Sequence, residues 1–269
     1  MTVRAGHRDR AVSIEQTAGG AIVVKTYLLA DAAAIFAGMF DLWASPFGCV
    51  HRHMPEPITL AESKLSMGFV PGSPIGARGD LGSTERLLDD VAQLLVRLHR
   101  SGAEVARKRN ASRLVRSLER KATDVAQPLG PAFARAVGHV NSTRPSAERL
   151  VVSHGDFSPR NVLVAEDRLV LIDFDRLQMA GPGRDVGYLG AWCWATIAQG
   201  GGQGDWAIGE AFAASYRRHG GLAISDRAMR FHRACGLLRI AQSWSALADS
   251  PDVALRIIDE AVDQLRLCR

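Results

Sequence analysis

The chain of 269 residues has few cysteines and no long apolar run. Its four cysteines are scattered and none forms a Cys-x-x-Cys pair, which excludes the usual zinc motifs and a disulfide framework. No apolar stretch approaches the roughly 20 residues that span a bilayer. The first residues also lack the apolar core of a signal peptide. We therefore expect a cytoplasmic protein without a membrane partner.

Acidic residues are also fewer than basic residues. Lysine and arginine number 33 against 28 aspartates and glutamates, which gives a net charge of +5. A solvated basic surface is the simplest interpretation, and we expect no nucleic-acid partner. The functional interpretation is attraction of a polyanion such as ATP. The balance does not favour a strongly cationic substrate, because such a substrate requires a field of the opposite sign.

The most informative stretch is residues 151–175. Two apolar runs, at 162–164 and 169–172, flank a polar connection at 165–168. This pattern predicts a β-hairpin with a four-residue connection. The polar residues that carry chemistry are concentrated at the edges of this hairpin.

Asn161 precedes the first of these strands and Asp173 follows the second. Antiparallel neighbours lie about 5 Å apart, so the pairing brings the two side chains together. Amide and carboxylate oxygens are ligands that Mg²⁺ prefers, and we predict that Asn161 and Asp173 bind it. Asp156 is expected to face the same ion without binding it. Its carboxylate would then be free to accept a proton from a hydroxyl nucleophile.

The same residues carry a resemblance to a known family. Residues 154–161 read His-Gly-Asp-x-x-x-x-Asn, residues 172–174 read Ile-Asp-Phe, and Asp185 follows a Gly-Pro turn. The segment resembles the aminoglycoside phosphotransferase and small-molecule kinase family, which shares the arrangement of catalytic Asp, metal-binding Asn and metal-binding Asp with protein kinases. The resemblance implies that His154 and Asp185 brace the loop through hydrogen bonds.

For the fold, the resemblance implies an α+β, bilobal, protein-kinase-like architecture. A small antiparallel-sheet N-lobe with one helix would occupy residues 1–70, and a larger, mainly helical C-lobe would occupy residues 71–269. Basic, helix-rich sequence near 103–148 is broken by proline and glycine, including Gly130-Pro131. We interpret this segment as a helical insertion in the C-lobe, where substrate contacts are expected.

Lys25 follows an Ile-Val-Val run in a second predicted hairpin, which turns at Gly19-Gly20. It is similar to the kinase lysine that binds the α- and β-phosphates of ATP. The family resemblance calls for a glutamate in the next predicted helix, 31–43, to pair with this lysine, but the helix has none. Asp41 is the best substitute, although it equally fits a solvent-facing position. Glu62 is a weaker alternative.

The segment Met67-Gly68-Phe69-Val70-Pro71-Gly72 resembles the family's hinge between the lobes. It implies that adenine is bound by the carbonyl of Gly68 and the N–H of Val70, with Met67 preceding them. The first ten residues contain little of the glycine-rich loop that covers the phosphates in kinases. Only Gly6 lies in the first ten residues, where residues 2–5 are predicted to form a first strand.

Together these features predict an enzyme that uses ATP and Mg²⁺ to phosphorylate a hydroxyl group of a small molecule. Aminoglycosides, other antibiotics, sugars and amino alcohols all remain open as acceptors, as does the oligomeric state. Arg160 either contacts phosphate or faces outward. The alternative is a nucleotide-binding pseudokinase with little turnover, favoured by the thin glycine loop. A protein serine/threonine kinase is a weaker option, because no Ala-Pro-Glu segment follows Asp173.

Overall fold

The structure is a computed structural model. The residues that it describes are 2–3, 11–27, 29–77, 85–125, 129–166, 168–245 and 251–266. Strands dominate the first part of the chain and helices the remainder, as the α+β prediction requires. Within the described part of the chain, no helix combines the length and the apolar character needed to cross a bilayer.

A five-stranded antiparallel sheet forms the first layer, in the order β1-β2-β3-β5-β4. Its strands are β1 (Thr2–Val3), β2 (Ala11–Thr17), β3 (Gly20–Thr26), β4 (Pro57–Ala61) and β5 (Lys64–Gly68). The predicted turn between β2 and β3 is confirmed. Gly20 has a φ of 114° that favours glycine, and the Thr17 hydroxyl donates to its carbonyl at 2.7 Å.

One helix, α1 (Leu29–Trp43), packs on this sheet and ends where the sequence predicts. Its buried side chains recur at helical spacing and face the core; they are Ala32, Ile35, Met39 and Leu42. A π-helical turn, Pro46–Val50, then leads back to β4. The helix therefore covers one side of the sheet, where it contacts β4 and β5.

The remainder of the chain is mainly helical. Its helices are α2 (Glu85–His99), α3 (Ala111–Ala122), α4 (Leu129–Ser142), α5 (Gly183–Gln199), α6 (Ala207–Arg218), α7 (Asp226–Ser245) and α8 (Pro251–Arg266). The prediction for 103–148 was wrong in one detail. Gly130 and Pro131 do not break the segment but lie in the first turn of α4. Proline is tolerated there because the first N–H groups of a helix have no partner within it.

Short strands frame the catalytic segment. They are β6 (Ser73–Pro74), β7 (Val151–Ser153), β8 (Val162–Ala165), β9 (Arg168–Leu171) and β10 (Gln178–Ala180), with β7 paired to β10 and β8 lying between β6 and β9. The predicted hairpin forms, but its connection has two residues, because Ala165 pairs with Arg168. Glu166 has a φ of 47°, the left-handed conformation that a two-residue hairpin turn requires.

A continuous apolar core joins the sheet to the helices. One cluster of buried side chains includes Leu65 from β5, Met39 from α1, Leu95 from α2 and Phe157 from the catalytic segment. A second cluster lies among α3, α4, α5, α7 and α8. The division into lobes at residues 70 and 71 stays a prediction.

Candidate active site

The catalytic loop leaves β7 through a tight turn at Gly155. This residue has a φ of 75°, and a Cβ atom there would lie 2.5 Å from the Arg176 carbonyl oxygen. Glycine is therefore required both by backbone conformation and by space. The turn aims the N–H groups of His154 and Gly155 at Asp185, whose carboxylate oxygens accept them at 2.9 and 2.8 Å.

Asp185 and two histidines hold the loop in place. The His99 ring nitrogen Nε2 lies 3.2 Å from Asp185 Oδ2, and its Nδ1 lies 2.8 Å from the Tyr216 hydroxyl. The His154 ring nitrogen Nε2 lies 2.9 Å from the carbonyl oxygen of Ile172. Burial alone would raise the pKa of Asp185, but the hydrogen bond from His99, the neighbouring His154 and the N–H of Gly155 leave that pKa lowered. These contacts are those of the brace that the sequence predicts.

Asn161 and Asp173 lie side by side, as the strand pairing predicts. The N–H of Ile172 donates to the Asn161 carbonyl at 2.9 Å. Because Asp173 directly follows Ile172, this contact places it next to Asn161. The Asn161 amide nitrogen donates to the Asp156 carbonyl at 2.9 Å. That bond fixes the amide, leaves Asn161 Oδ1 available to a cation, and ties Asp156 to the same corner of the molecule.

Asp173 itself has a left-handed backbone conformation, with φ at 66°. The 3₁₀ turn at residues 174–176 follows and brings Asp175 back to the same side. Lys25 Nζ lies 2.6 Å from Asp173 Oδ1 and 3.0 Å from Asp175 Oδ1. Burial would lower the pKa of Lys25, but the two carboxylates raise it. Burial would raise the pKa of Asp173, and Lys25 lowers it.

Of the two positions left open for Asp41, the solvent-facing one is observed, and the pairing of Lys25 with Asp41 or Glu62 is not. Asp41 and Glu62 are exposed, and the partners of Lys25 in the described residues are Asp173 and Asp175. Asp175 stands in the Ile-Asp-Phe-Asp motif, but its role depends on the left-handed turn at Asp173, which residue type alone does not predict. Tyr27, two residues after Lys25, also donates its hydroxyl to Asp175.

Asp156 is not the free carboxylate that the sequence predicts. Arg239 Nη2 from α7 lies 2.7 Å from Asp156 Oδ1, an ion pair without good hydrogen-bond alignment. Arg160 Nη2 lies 3.4 Å from Oδ2, although the Arg160 side chain is mostly exposed. Burial would raise the pKa of Asp156, but Arg239, Arg176 and Arg160 outweigh it and hold that pKa far below its usual range. We therefore expect Asp156 to be ionised at neutral pH.

The donor set at this corner fits a magnesium ion. Asn161 supplies an amide oxygen, and Asp173 supplies a carboxylate. This carboxylate already contacts one cation, Lys25 Nζ, at 2.6 Å. Hard oxygen ligands in small number suit Mg²⁺, which completes its shell with water and substrate phosphate. The remaining positions of such a shell would belong to the nucleotide.

The hinge residues occupy the end of β5. Met67 is buried in the core beneath the sheet, while Gly68 and Val70 are half-buried. The N–H of Gly68 donates to the Glu56 carbonyl at 2.9 Å, and the N–H of Phe69 donates to the Ala21 carbonyl at 3.1 Å. Adenine binding by Gly68 and Val70 stays a prediction. Gly6, expected to cover the phosphates, lies outside the described residues.

Substituting Asp185 tests the brace. In Asp185→Asn, an NH₂ group would face one of the N–H donors, and a buried donor without an acceptor costs about 1–3 kcal/mol. We expect the free energy of unfolding to fall by about 3 kcal/mol in total, since a buried charged group is lost as well. Urea denaturation measures this. The matched control, Asp259→Asn, removes an exposed carboxylate of α8 and should change the stability by less than about 0.5 kcal/mol. Equal effects of the two substitutions would contradict the brace.

The model of the phosphotransferase enzyme family matches residues 2–232. A spectinomycin phosphotransferase solved with ADP and spectinomycin is 15% identical, with a TM-score of 0.63, covering 99% of this chain and 92% of its own. A choline kinase from Cryptosporidium parvum is 11% identical, with a TM-score of 0.72 and coverages of 99% and 88%. An amicoumacin kinase solved with AMP-PNP and Ca²⁺ is 12% identical, with a TM-score of 0.70 and coverages of 97% and 88%.

At these identities the solved structures show a shared fold, which confirms the bilobal, protein-kinase-like architecture expected from the sequence. A search among curated proteins found no sequence match.

Proposed function

The chain belongs to the phosphotransferase enzyme family, and from that premise we propose that it transfers the γ-phosphoryl group of ATP to a hydroxyl group of a small molecule. The observation that supports this most strongly is the 2.6 Å contact between Lys25 Nζ and Asp173 Oδ1. This contact joins Lys25 of β3, which we expect to bind phosphate, to Asp173, which we expect to bind the metal. Asn161 and Asp156 adjoin the same point.

Each side chain has a role on this account. Lys25 binds the α- and β-phosphates, and Asn161 and Asp173 hold Mg²⁺. The metal, when bound, neutralises charge on the transferring phosphoryl group. Lys25 would exchange part of its contact with Asp173 for phosphate oxygens, while Asp175 remains its acidic partner. The main-chain groups of Gly68 and Val70 would bind adenine, with Met67 supporting them from the core.

Asp156 positions the acceptor. Its carboxylate accepts the hydrogen bond of the acceptor hydroxyl and takes the proton as the new oxygen–phosphorus bond forms. The bond from the γ-phosphorus to the β,γ-bridging oxygen breaks, and ADP leaves. A carboxylate with so low a pKa is a weak base, which suits a loose transition state that requires placement more than proton abstraction.

A coupled assay of ADP formation tests the proposal. The acceptor panel would contain aminoglycosides, other antibiotics, sugars, amino alcohols and phosphorylated alcohols. We expect Mg²⁺-dependent turnover with at least one acceptor; an antibiotic among them would indicate a resistance enzyme. Nucleotide binding without turnover on any acceptor would instead favour the pseudokinase. Because ATP is the donor, we also propose a cytoplasmic site of action.

A further inference from the structure

A cavity of about 30 Å³ with cationic walls is lined in part by Arg239, the residue whose guanidinium contacts Asp156. We call it the cationic cavity. The charged side chains that line it are Arg107, Arg109, Lys121, Arg176, Arg184 and Arg239, and none of its lining residues is acidic. They come from five separate parts of the chain, namely the loop before α3, α3 itself, the 3₁₀ turn after β9, α5 and α7. Tertiary folding therefore assembles this charge at one place.

An outer cavity of about 400 Å³ adjoins it and shares Arg107 and Arg109. It adds four further cations, Lys108, Arg113, Arg116 and Arg120, and again no acidic lining residue. A volume of this size is typical of a small-molecule site. The two cavities thus share cationic lining residues, and the inner one ends at Arg239, which contacts Asp156.

Among the described residues, the ion pair made by these ten side chains is that of Arg239 with Asp156. Lys121 donates to the neutral amide of Gln242 at 3.0 Å, and Arg184 and Arg239 donate to the Gly155 carbonyl. The outer cations are exposed, whereas Arg184 and Arg239 are buried and Arg109, Lys121 and Arg176 are half-buried. Removing cations from water is costly, and a ligand that supplies negative charge would offset this cost.

Two buried polar groups in the cationic cavity also lack partners. Arg184 Nε and Gln178 Nε2 have no hydrogen-bond acceptor in the structure, and their residues are only 6% and 2% exposed. Both residues line the cavity. Buried donors are normally satisfied, so an acceptor-bearing group in the cavity would remove this deficit.

The cations also destabilise one another. Arg239 is the main cause that lowers the pKa of Arg176 to about 10. Burial, together with Arg176 and Arg239, lowers the pKa of Lys121 to about 8. Mutual repulsion of this kind is relieved by a bound anion.

We propose that the acceptor substrate of this enzyme is an alcohol that carries an anionic group, phosphate or carboxylate, and that the cations lining the cationic cavity and the adjoining outer cavity bind that group. The inference rests on the proposed function, because it identifies the acceptor of that reaction. The planar guanidinium of arginine binds both anions through paired hydrogen bonds. A polycationic aminoglycoside would meet repulsion here instead.

Arg239 connects this cavity to the reaction. Its guanidinium lines the cavity, contacts Asp156 and donates to the Gly155 carbonyl. An acceptor anchored by its anionic group next to Arg239 therefore has its hydroxyl within reach of Asp156. The distance between the anionic group and the phosphorylated hydroxyl would set the specificity.

The first test compares matched acceptors on the wild-type enzyme. The pairs are glycerol with glycerol 3-phosphate and ribose with ribose 5-phosphate, with glycerate as the carboxylate and kanamycin as the cation. We expect kcat/KM to be at least about tenfold higher for the anionic members. A preference for glycerol, ribose or kanamycin would overturn the inference while leaving the proposed function intact.

The second test does not depend on turnover. Inorganic phosphate is titrated calorimetrically into the protein saturated with Mg-ADP, so that the nucleotide site is occupied. Arg109→Gln and Lys121→Gln should each weaken phosphate binding by about tenfold, whereas Arg217→Gln removes an exposed arginine of α6 and should not. Neither Arg109 nor Lys121 contacts Asp156 in the ion-pair network, so the calorimetric Kd for Mg-ADP should stay unchanged.

The two readouts separate the possible failures. Phosphate binding that is lost in the cavity variants but occurs in an enzyme without turnover would support the anion site and count against the proposed function. Absence of phosphate binding, or equal binding by all variants, would overturn the anion site. Because the cavity cations repel one another, neither glutamine variant should unfold more easily than wild type, and denaturation checks this.

Discussion

Replacing Asp173 with asparagine should lower kcat for phosphoryl transfer by about three orders of magnitude, because a metal ion supplies several kcal/mol of transition-state stabilisation. Asparagine has nearly the same shape but no charge, and it would hold Mg²⁺ and Lys25 much more weakly. The substitution should also raise the Mg²⁺ concentration needed for half-maximal rate. Steady-state ADP formation at varied Mg²⁺ measures both effects.

Asp259→Asn is the matched control for this substitution, since it makes the same chemical change at an exposed site on α8. Its kcat should equal that of wild type. Binding of a fluorescent nucleotide without metal should survive in Asp173→Asn, because Lys25 and the hinge remain. An Asp173→Asn enzyme with near-normal kcat at limiting Mg²⁺ would show that the metal is held elsewhere.

Replacing Asp156 with asparagine should reduce kcat by about a hundredfold, at the lower end of what general base catalysis contributes. The loss is at the lower end because the arginines keep Asp156 a weak base whose main task is to orient the acceptor. KM for ATP should change little. A loss smaller than about threefold would remove Asp156 from the catalytic role.

The lowered pKa of Asp156 also predicts the pH dependence of the wild-type rate. A depressed pKa keeps the carboxylate ionised above that pKa, so its ionisation limits the rate only in strong acid. We therefore expect no loss of kcat assignable to Asp156 between pH 7 and about pH 5. A kinetic pKa near neutrality that disappears in Asp156→Asn would contradict the paired geometry.

The local parts of the site could be predicted from sequence. Asn161 and Asp173 meet because they flank the two strands of one hairpin, and the side-chain pattern determines that pairing. Lys25 likewise lies in a strand that alternation and a glycine turn identify. The pairing within a hairpin depends on backbone geometry that neighbouring residues determine. Asp185 lies 30 residues beyond Gly155, and its contact with the loop was expected from the family resemblance alone.

The remaining parts depend on contacts between distant segments. Arg239 lies 84 residues beyond Gly155 on a helix that is buried on most sides, so neither periodicity nor charge pattern identifies its partner. For the same reason, the sequence could not decide whether Asp41 pairs with Lys25 or faces solvent. The left-handed turn at Asp173 provides an acidic partner from the helical part, and the exposed Asp41 is not needed.

The clustering of positive charge near Asp156 also depends on contacts between distant segments. A net charge of +5 over the whole chain indicates nothing about where the excess lies. Folding brings Arg176, Arg184 and Arg239 from three elements to one cavity, and Arg239 contacts Asp156. The anionic acceptor that we propose depends on this long-range assembly.

We propose that Lys25, Asn161 and Asp173 together bind one magnesium–nucleotide complex next to Asp156. The most direct measurement is ³¹P NMR of Mg-ATP incubated with the purified protein and the acceptor panel. We predict that the γ-phosphate signal is replaced by that of a phosphate ester together with ADP, and that Asp173→Asn abolishes this change. Intact ATP with every acceptor, or ester formation that proceeds equally in Asp173→Asn, would contradict the account.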